Sequence, residues 1–200
     1  MSEKKMITTA KTFDTIAKAC KGIFEAVGIV CGIFAVLVLF FGEKMFEIGN
    51  FTLDMAYIKL HLSESILPSI ELIETFIIIL LIALGVIFFM VSYGIKQFRN
   101  ILAPMKEGRP FGADAPRKLR NIAWITLAGG FVFNVVSFVE CMLLTKAYPM
   151  EQIFSSSAIE KVEFTYTMDF NFVLVFAAVM FLSYIFDYGQ KLQQESDETL

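Results

Sequence analysis

Strongly polar side chains stand inside otherwise apolar stretches of this sequence at Glu25, Asn134 and Glu140. Polar groups are costly to place among apolar residues, so they mark ion pathways, ligand contacts or hydrogen bonds between helices. For Glu25, compensation of a helix dipole near the helix start is an equally good interpretation. For Asn134, a hydrogen bond between helices is more common than a transport site. All three are candidate intramembrane polar sites.

Other reactive side chains are few. There is one histidine, His61, and the three cysteines are isolated, at positions 20, 31 and 141. No pair of Cys or His residues has the spacing of metal ligands, and no HExxH or GxSxG motif is present. We therefore expect a non-enzymatic protein with no metal and no cofactor, whose thiols act as small apolar groups.

The elements that carry these residues follow from composition. Hydrophobic residues make up 56% of the 200 residues and charged residues 18%. A helix needs about 20 apolar residues to cross a bilayer, and its backbone must be hydrogen-bonded internally. Four stretches meet this requirement: residues 23–41, 76–93, 122–144 and 170–186. The sequence predicts one integral membrane domain over residues 1–200, an all-α transmembrane four-helix bundle.

The basic residues predict the orientation of these helices. Thirteen of the 17 Lys and Arg residues fall in residues 1–22, 94–121 and 187–200, and four fall in residues 42–75 and 145–169. Lys and Arg are enriched in cytoplasmic loops. We expect both termini in the cytoplasm, the first span to be an uncleaved signal anchor, and residues 42–75 and 145–169 to be outer loops.

Both predicted outer loops show the alternation of apolar and polar residues that is typical of strands. In the first loop the apolar residues are Ile58, Leu60 and Leu62, after a plausible turn at Gly49–Asn50. In the second loop, residues 162–168 alternate in the same way. Since isolated strands are unstable, we predict that the two loops pair into one small extracytoplasmic β-sheet. A simple cap and a ligand sensor both remain open.

The predicted cytoplasmic hairpin, residues 94–121, is amphipathic. Apolar residues at helical spacing predict that the second span continues as a helix until Pro104 interrupts it. Asp114 and Pro116 predict the start of the next helix. Its candidate functional residues are Arg109, Phe111, Arg117, Lys118 and Arg120. Contact with anionic lipid and docking of a cytosolic partner are both open; direct nucleic-acid binding is not expected.

The C-terminal tail carries three acidic residues on the same predicted side of the membrane: Glu195, Asp197 and Glu198. Opposite charges on one face attract. We therefore predict that these acids form ion pairs with Arg117, Lys118 or Arg120. A solvated, frayed terminus is the alternative.

Several of these segments resemble a known family. They are Phe98–Leu102, Gly108–Phe111, Leu119–Ala123 and the tail Phe186–Leu200. Together with four spans they resemble the bacterial membrane family called domain of unknown function 2975 (DUF2975), although Ala115 stands where members tend to carry Asn. The resemblance implies an uncharacterised multi-pass protein of the bacterial inner membrane. Its genes often lie beside one for a small helix-turn-helix regulator, which implies a membrane partner for that transcription factor.

Two functions from different classes follow. The first is a non-enzymatic membrane sensor or regulator that acts with the helix-turn-helix transcription factor. The second is a small transporter or channel component, which needs a polar path that only Glu25, Asn134 and Glu140 would supply. The lipid bilayer is a partner in either case, and a homo-oligomer is left open.

Overall fold

The computed structural model describes residues 3–46, 52–55, 58–61, 69–108, 112, 114–147 and 165–198. It contains four long helices: α1 Glu3–Phe46, α2 Ile70–Met105, α3 Ala115–Ala147 and α4 Asn171–Glu198. Each helix carries one of the predicted apolar segments, and each is long and apolar enough to cross a membrane. The prediction of an all-helical architecture with four candidate spans is confirmed.

The apolar side chains of these helices largely face outward. Phe40 is 73% exposed, Leu174 71%, and Phe131 and Phe181 66% each. No more than 22% of any apolar segment is buried within the protein. Such surfaces are unfavourable in water at about 25 cal/mol per Å², so the solvent that suits them is lipid.

The C-terminal end of α2 and the N-terminal start of α3 lie where the sequence predicts. The helix α2 continues beyond its apolar segment to Met105, with Pro104 in its last turn, and Gly108 follows at φ 85°. A positive φ suits glycine because it has no Cβ. The carbonyl of Asp114 accepts a hydrogen bond from the Lys118 amide at 3.0 Å and starts α3.

The N-terminal extent of α1 was not predicted. This helix is 44 residues long and begins at Glu3, so about 20 residues, roughly 30 Å of helix, precede the apolar segment 23–41. Ala10 and Ala17 are buried in this extension, at 4% and 8% exposure. They lie seven residues apart on one face, so one side of the lysine-rich extension is packed.

The chain divides into two compact units. The first comprises Met1–Ile29, Gly85–Val132 and Asp169–Leu200, and the second comprises Val30–Leu84 and Phe133–Met168. Each of α1, α2 and α3 contributes one part to each unit. That residues 1–200 form a single domain stays a prediction.

In the first unit the helices pack at glycines. A Cβ placed on Gly28 of α1 would lie 3.2 Å from the ring of Phe89 in α2. A Cβ on Gly130 of α3 would overlap Phe172 of α4. The buried hydroxyl of Ser183 donates a hydrogen bond to the Pro116 carbonyl at 2.9 Å. Small residues let helix backbones approach closely in membranes.

The second unit contains two short strands, β1 Thr52–Met55 and β2 Ile58–His61. They are antiparallel, with Thr52 opposite His61 and Met55 opposite Ile58. In the same unit the Ser69 amide at the start of α2 donates to the Ala147 carbonyl at the end of α3, at 3.1 Å.

The predicted sheet across both loops is not supported. Within the described residues the two strands pair only with each other, and residues 165–170 form no strand. The contact that Tyr166 makes is through its side chain, whose hydroxyl donates a hydrogen bond to Asn134 Oδ1 of α3. The predicted turn at Gly49–Asn50 and the rest of the second alternating segment, 162–164, lie outside the described residues.

Candidate functional site

The carboxylate of Asp14, on the polar extension of α1, binds two cations of α2. The Nε of Arg99 donates to Oδ1 at 2.8 Å, and the Nζ of Lys106 donates to Oδ2 at 2.8 Å. The Asp14 side chain is 19% exposed and both cations are 29% exposed. Asp14 precedes the apolar segment 23–41, and the hydrogen bonds from Lys106 and Arg99 hold its pKa below the ordinary 3.8. Both carboxylate oxygens are therefore used to join α1 to α2.

A second carboxylate lies further along the same helices. The Oε1 of Glu25 accepts hydrogen bonds from Lys21 Nζ at 2.5 Å and from Ser92 Oγ at 3.0 Å. The Ser92 hydroxyl belongs to α2, and the residue is 2% exposed. Glu25, one of the three intramembrane candidates, thus joins the two helices at the boundary of the apolar segments.

Helical spacing brings these residues together. The site is built from Asp14, Lys21 and Glu25 of α1 and from Ser92, Lys96, Arg99 and Lys106 of α2. Successive members of each set are separated by three, four or seven residues. Residues at that spacing share one face of a helix. Each helix therefore presents a polar stripe to the other over a length of several turns.

The two stripes enclose a cavity of about 460 Å³. Besides the charged groups, its lining includes Phe89, Tyr93 and the side of α2 around Asn100. Four cationic side chains face two carboxylates, a formal excess of two positive charges. Such an arrangement favours a bound anion over a cation.

The second predicted candidate, Asn134, lies in the second unit. It is 7% exposed, and its Oδ1 accepts a hydrogen bond from the Tyr166 hydroxyl at 2.5 Å. The ring of Phe138 contacts that of Tyr166 edge-on, with centroids 5.8 Å apart. The contact is a partly buried hydrogen bond between α3 and the segment that precedes α4.

The third candidate, Glu140, follows Asn134 on α3 at a distance of six residues. Its Oε1 is buried and accepts no hydrogen bond from any described residue. A buried carboxylate oxygen without a hydrogen bond is costly in an apolar environment. Glu140 is not part of the cavity between α1 and α2.

The predicted cytoplasmic face is only partly described. Lys118 binds Asp114, at 3.7 Å, and the carbonyl of Asn100, at 3.4 Å. Within α4, Lys191 pairs with Asp187 at 3.2 Å. The exposed members of this face are Arg117, Arg120, Glu195 and Glu198. Arg109, Phe111 and the side chain of Asp197 lie outside the described residues, and the pairing of tail acids with the hairpin stays a prediction.

Of the charged and hydroxyl side chains that build this site, only Glu25 was predicted from the sequence. The missed residues are Asp14, Lys21, Ser92, Lys96, Arg99 and Lys106. A signal for Asp14 was available, because it is the only acidic residue between Lys4 and Phe24. Its spacing from the apolar or small residues Ala10 and Ala17 also places it on their face. No comparable signal identified Ser92, since a serine in an apolar helix is ordinarily unremarkable.

The helices and the polar cavity define a class: a multi-pass membrane protein with four candidate spans and a charged site at the ends of two of them. The chain belongs to the family described as a protein of unknown function, DUF2975, whose model matches residues 27–200. No curated protein and no solved structure is significantly similar to it.

Proposed function

We propose that this protein is a non-enzymatic regulator of the bacterial inner membrane, with both termini in the cytoplasm. It acts with a small cytosolic helix-turn-helix transcription factor. The partner rests on the family resemblance, and the orientation rests on the excess of basic residues in residues 1–22 and 94–121.

The observation that carries the proposal is the ion-paired extension of α1 and α2. Both helices continue without a break from their apolar segments into polar ones. Asp14, Arg99 and Lys106 join the two extensions. These ion pairs restrict the separate motion of the two extensions, and we propose that they carry a signal to the cytoplasmic side.

The extension of α1 also offers a surface for a partner. Phe13 is 52% exposed and Ile16 is 54% exposed, and both precede the apolar segment 23–41. The lysines Lys4, Lys5, Lys11 and Lys18 of the same helix are also exposed, so the extension is otherwise polar and basic. Large exposed apolar residues within a polar surface are typical of protein interaction sites.

The test is co-purification. The full-length protein, with an affinity tag, is extracted in mild detergent from cells that also contain the regulator encoded beside it. We expect the regulator to be recovered with the wild type and to be lost with the double variant Phe13→Ser/Ile16→Ser. The matched control, Phe13→Leu/Ile16→Val, keeps the apolar surface and should retain it. Failure of the wild type to recover the regulator contradicts the proposal.

A second function has one specific observation in its favour. The buried Oε1 of Glu140, without a hydrogen bond from the described residues, is the kind of group that carries protons or ions in transporters. A proton or ion flux into proteoliposomes that disappears in Glu140→Gln would establish a small transporter. An absence of flux in the wild type removes that alternative.

A further inference from the structure

We propose that the cavity between α1 and α2 binds a phosphate group, carried either by an anionic lipid or by a soluble phosphate ester. If the protein is the regulator proposed above, the phosphate compound is the signal to which it responds. Binding of phosphate in the cavity is argued separately, from the cavity itself.

The net positive charge of the cavity favours binding of an anion. Lys21, Lys96, Arg99 and Lys106 line it together with Asp14 and Glu25. Asp14 and Glu25 pair with three of the four cations. Lys96 makes no ion pair within the described part of the chain, although it lies close enough to Glu25 to act on it electrostatically. Lys21, Arg99 and Lys106 are half-buried, whereas Lys96 is exposed. An excess of neighbouring cations is stabilised by a bound counter-charge.

The cations keep hydrogen-bond donors for such a ligand. Arg99 uses its Nε with Asp14, and a guanidinium has four further N–H donors in a planar fork that matches phosphate oxygens. Lys106 uses Nζ with the same carboxylate, and an ammonium has three donors. Asp14 therefore orients both cations without exhausting them. Orienting them in advance lowers the entropic cost of ligand binding.

The position and size of the cavity fit a phosphate ester. Phe89, Ser92 and Tyr93 lie in the last turn of the apolar segment 76–93, whereas Arg99 and Lys106 lie in the polar extension. The cavity thus begins where a lipid headgroup would lie. Its volume of about 460 Å³ lies within the range of small-molecule sites, roughly 300–1,000 Å³. The organic part of a phosphate ester fits beside the phosphate.

The experiment measures thermal unfolding of the purified full-length protein in detergent, with no partner present. One arm adds dioleoyl phosphatidic acid, with oleic acid at equal charge as its control. The other arm adds glycerol 3-phosphate, with sodium chloride at equal ionic strength as its control. The test variants are Lys96→Gln and Arg99→Gln, and the matched control is Lys191→Gln, which removes one exposed charge outside the cavity.

We expect at least one phosphate probe to stabilise the wild type beyond its control. The apparent affinity should fall about tenfold or more in Lys96→Gln and Arg99→Gln, as loss of a charged hydrogen bond predicts, and less than about twofold in Lys191→Gln. The arm that responds identifies the source of the phosphate. If Arg99→Gln does not fold, the inference is tested by the affinity of Lys96→Gln alone.

Two results overturn the inference: no stabilisation of the wild type by either phosphate probe beyond its control, or an equal loss of affinity in Lys96→Gln and Lys191→Gln. Since no partner is present in this measurement, its failure leaves the co-purification result unaffected, and the two proposals fail separately.

Discussion

The carboxylate of Asp14 lies 2.8 Å from the Nε of Arg99, although 85 residues separate them in the chain. Lys106, two turns further along α2, binds the other oxygen of the same carboxylate. One acidic side chain therefore holds the polar extension of α1 against that of α2. The regulator and ligand proposals both depend on this junction.

Asp14→Asn should destabilise the protein by about 1 kcal/mol, between the values for exposed ion pairs and for charged hydrogen bonds. The substitution leaves Arg99 and Lys106 close together with no anion between them. The measurement is thermal or denaturant unfolding in detergent. Asp187→Asn is the control, because its partner Lys191 is 67% exposed, and we expect a smaller effect there. Equal effects in the two variants would contradict the importance of the junction.

The same junction predicts a dependence on pH. Because Lys106 and Arg99 lower the pKa of Asp14 below 3.8, its contribution to stability is complete above that value. The contribution is lost as the pH falls from about 4 through the lower pKa of the folded state. Unfolding measured from pH 7 to pH 3 should therefore show an acid-induced loss that is smaller in Asp14→Asn. Identical pH profiles for the two proteins would count against it.

Gly130→Ala should destabilise the protein, whereas Gly129→Ala should not. A Cβ at position 130 overlaps Phe172, but one at position 129 meets only Met90, at 3.6 Å. Overpacking costs about 1–3 kcal/mol, and alanine otherwise favours a helix over glycine by about 1 kcal/mol. Unfolding in detergent of the two neighbouring variants compares them directly. A gain of stability in Gly130→Ala would show that α4 can move away from this site.

The hydrogen bond between Asn134 and Tyr166 predicts coupling between these positions. Asn134→Ala and Tyr166→Phe each remove it, at a cost of about 1 kcal/mol. A double-mutant cycle of unfolding free energies should give a coupling of at least about 0.5 kcal/mol. Additive effects would show that the bond contributes nothing measurable.

The proposed orientation predicts which positions a membrane-impermeant thiol reagent reaches. In a variant with Cys20, Cys31 and Cys141 changed to Ala, a cysteine at Ser69 should react in intact cells. A cysteine at Thr9 should react only after lysis. Both positions are exposed in the structure, so accessibility depends on the side of the membrane. The reverse pattern would invert the topology.

The four helices could be predicted from the sequence, as could the end of α2 and the start of α3. These features are local: an apolar run of sufficient length must be helical in lipid, and Pro104 and Asp114 act on their own turns of backbone. The same local reasoning singled out Glu25, Asn134 and Glu140 as polar residues in apolar surroundings.

Local patterns were misleading where the outcome depended on a distant partner. The alternation around Tyr166 predicted a strand, but the side chain of Tyr166 binds Asn134 on α3. An alternation of apolar and polar residues shows which side chains share one face of a strand. It does not show which part of the protein that face contacts.

The pairs of polar groups that contact each other could be identified only in the tertiary structure. No pattern in the sequence predicted that Asp14 pairs with Arg99 and Lys106. None predicted that Ser92 donates a hydrogen bond to Glu25, 67 residues away. Ion pairs and hydrogen bonds act over about 3–4 Å, and the distance between residues far apart in the chain is set by how the helices pack. The charged residues can be read from the sequence, but it is the packing of α1 against α2 that brings them together into one site.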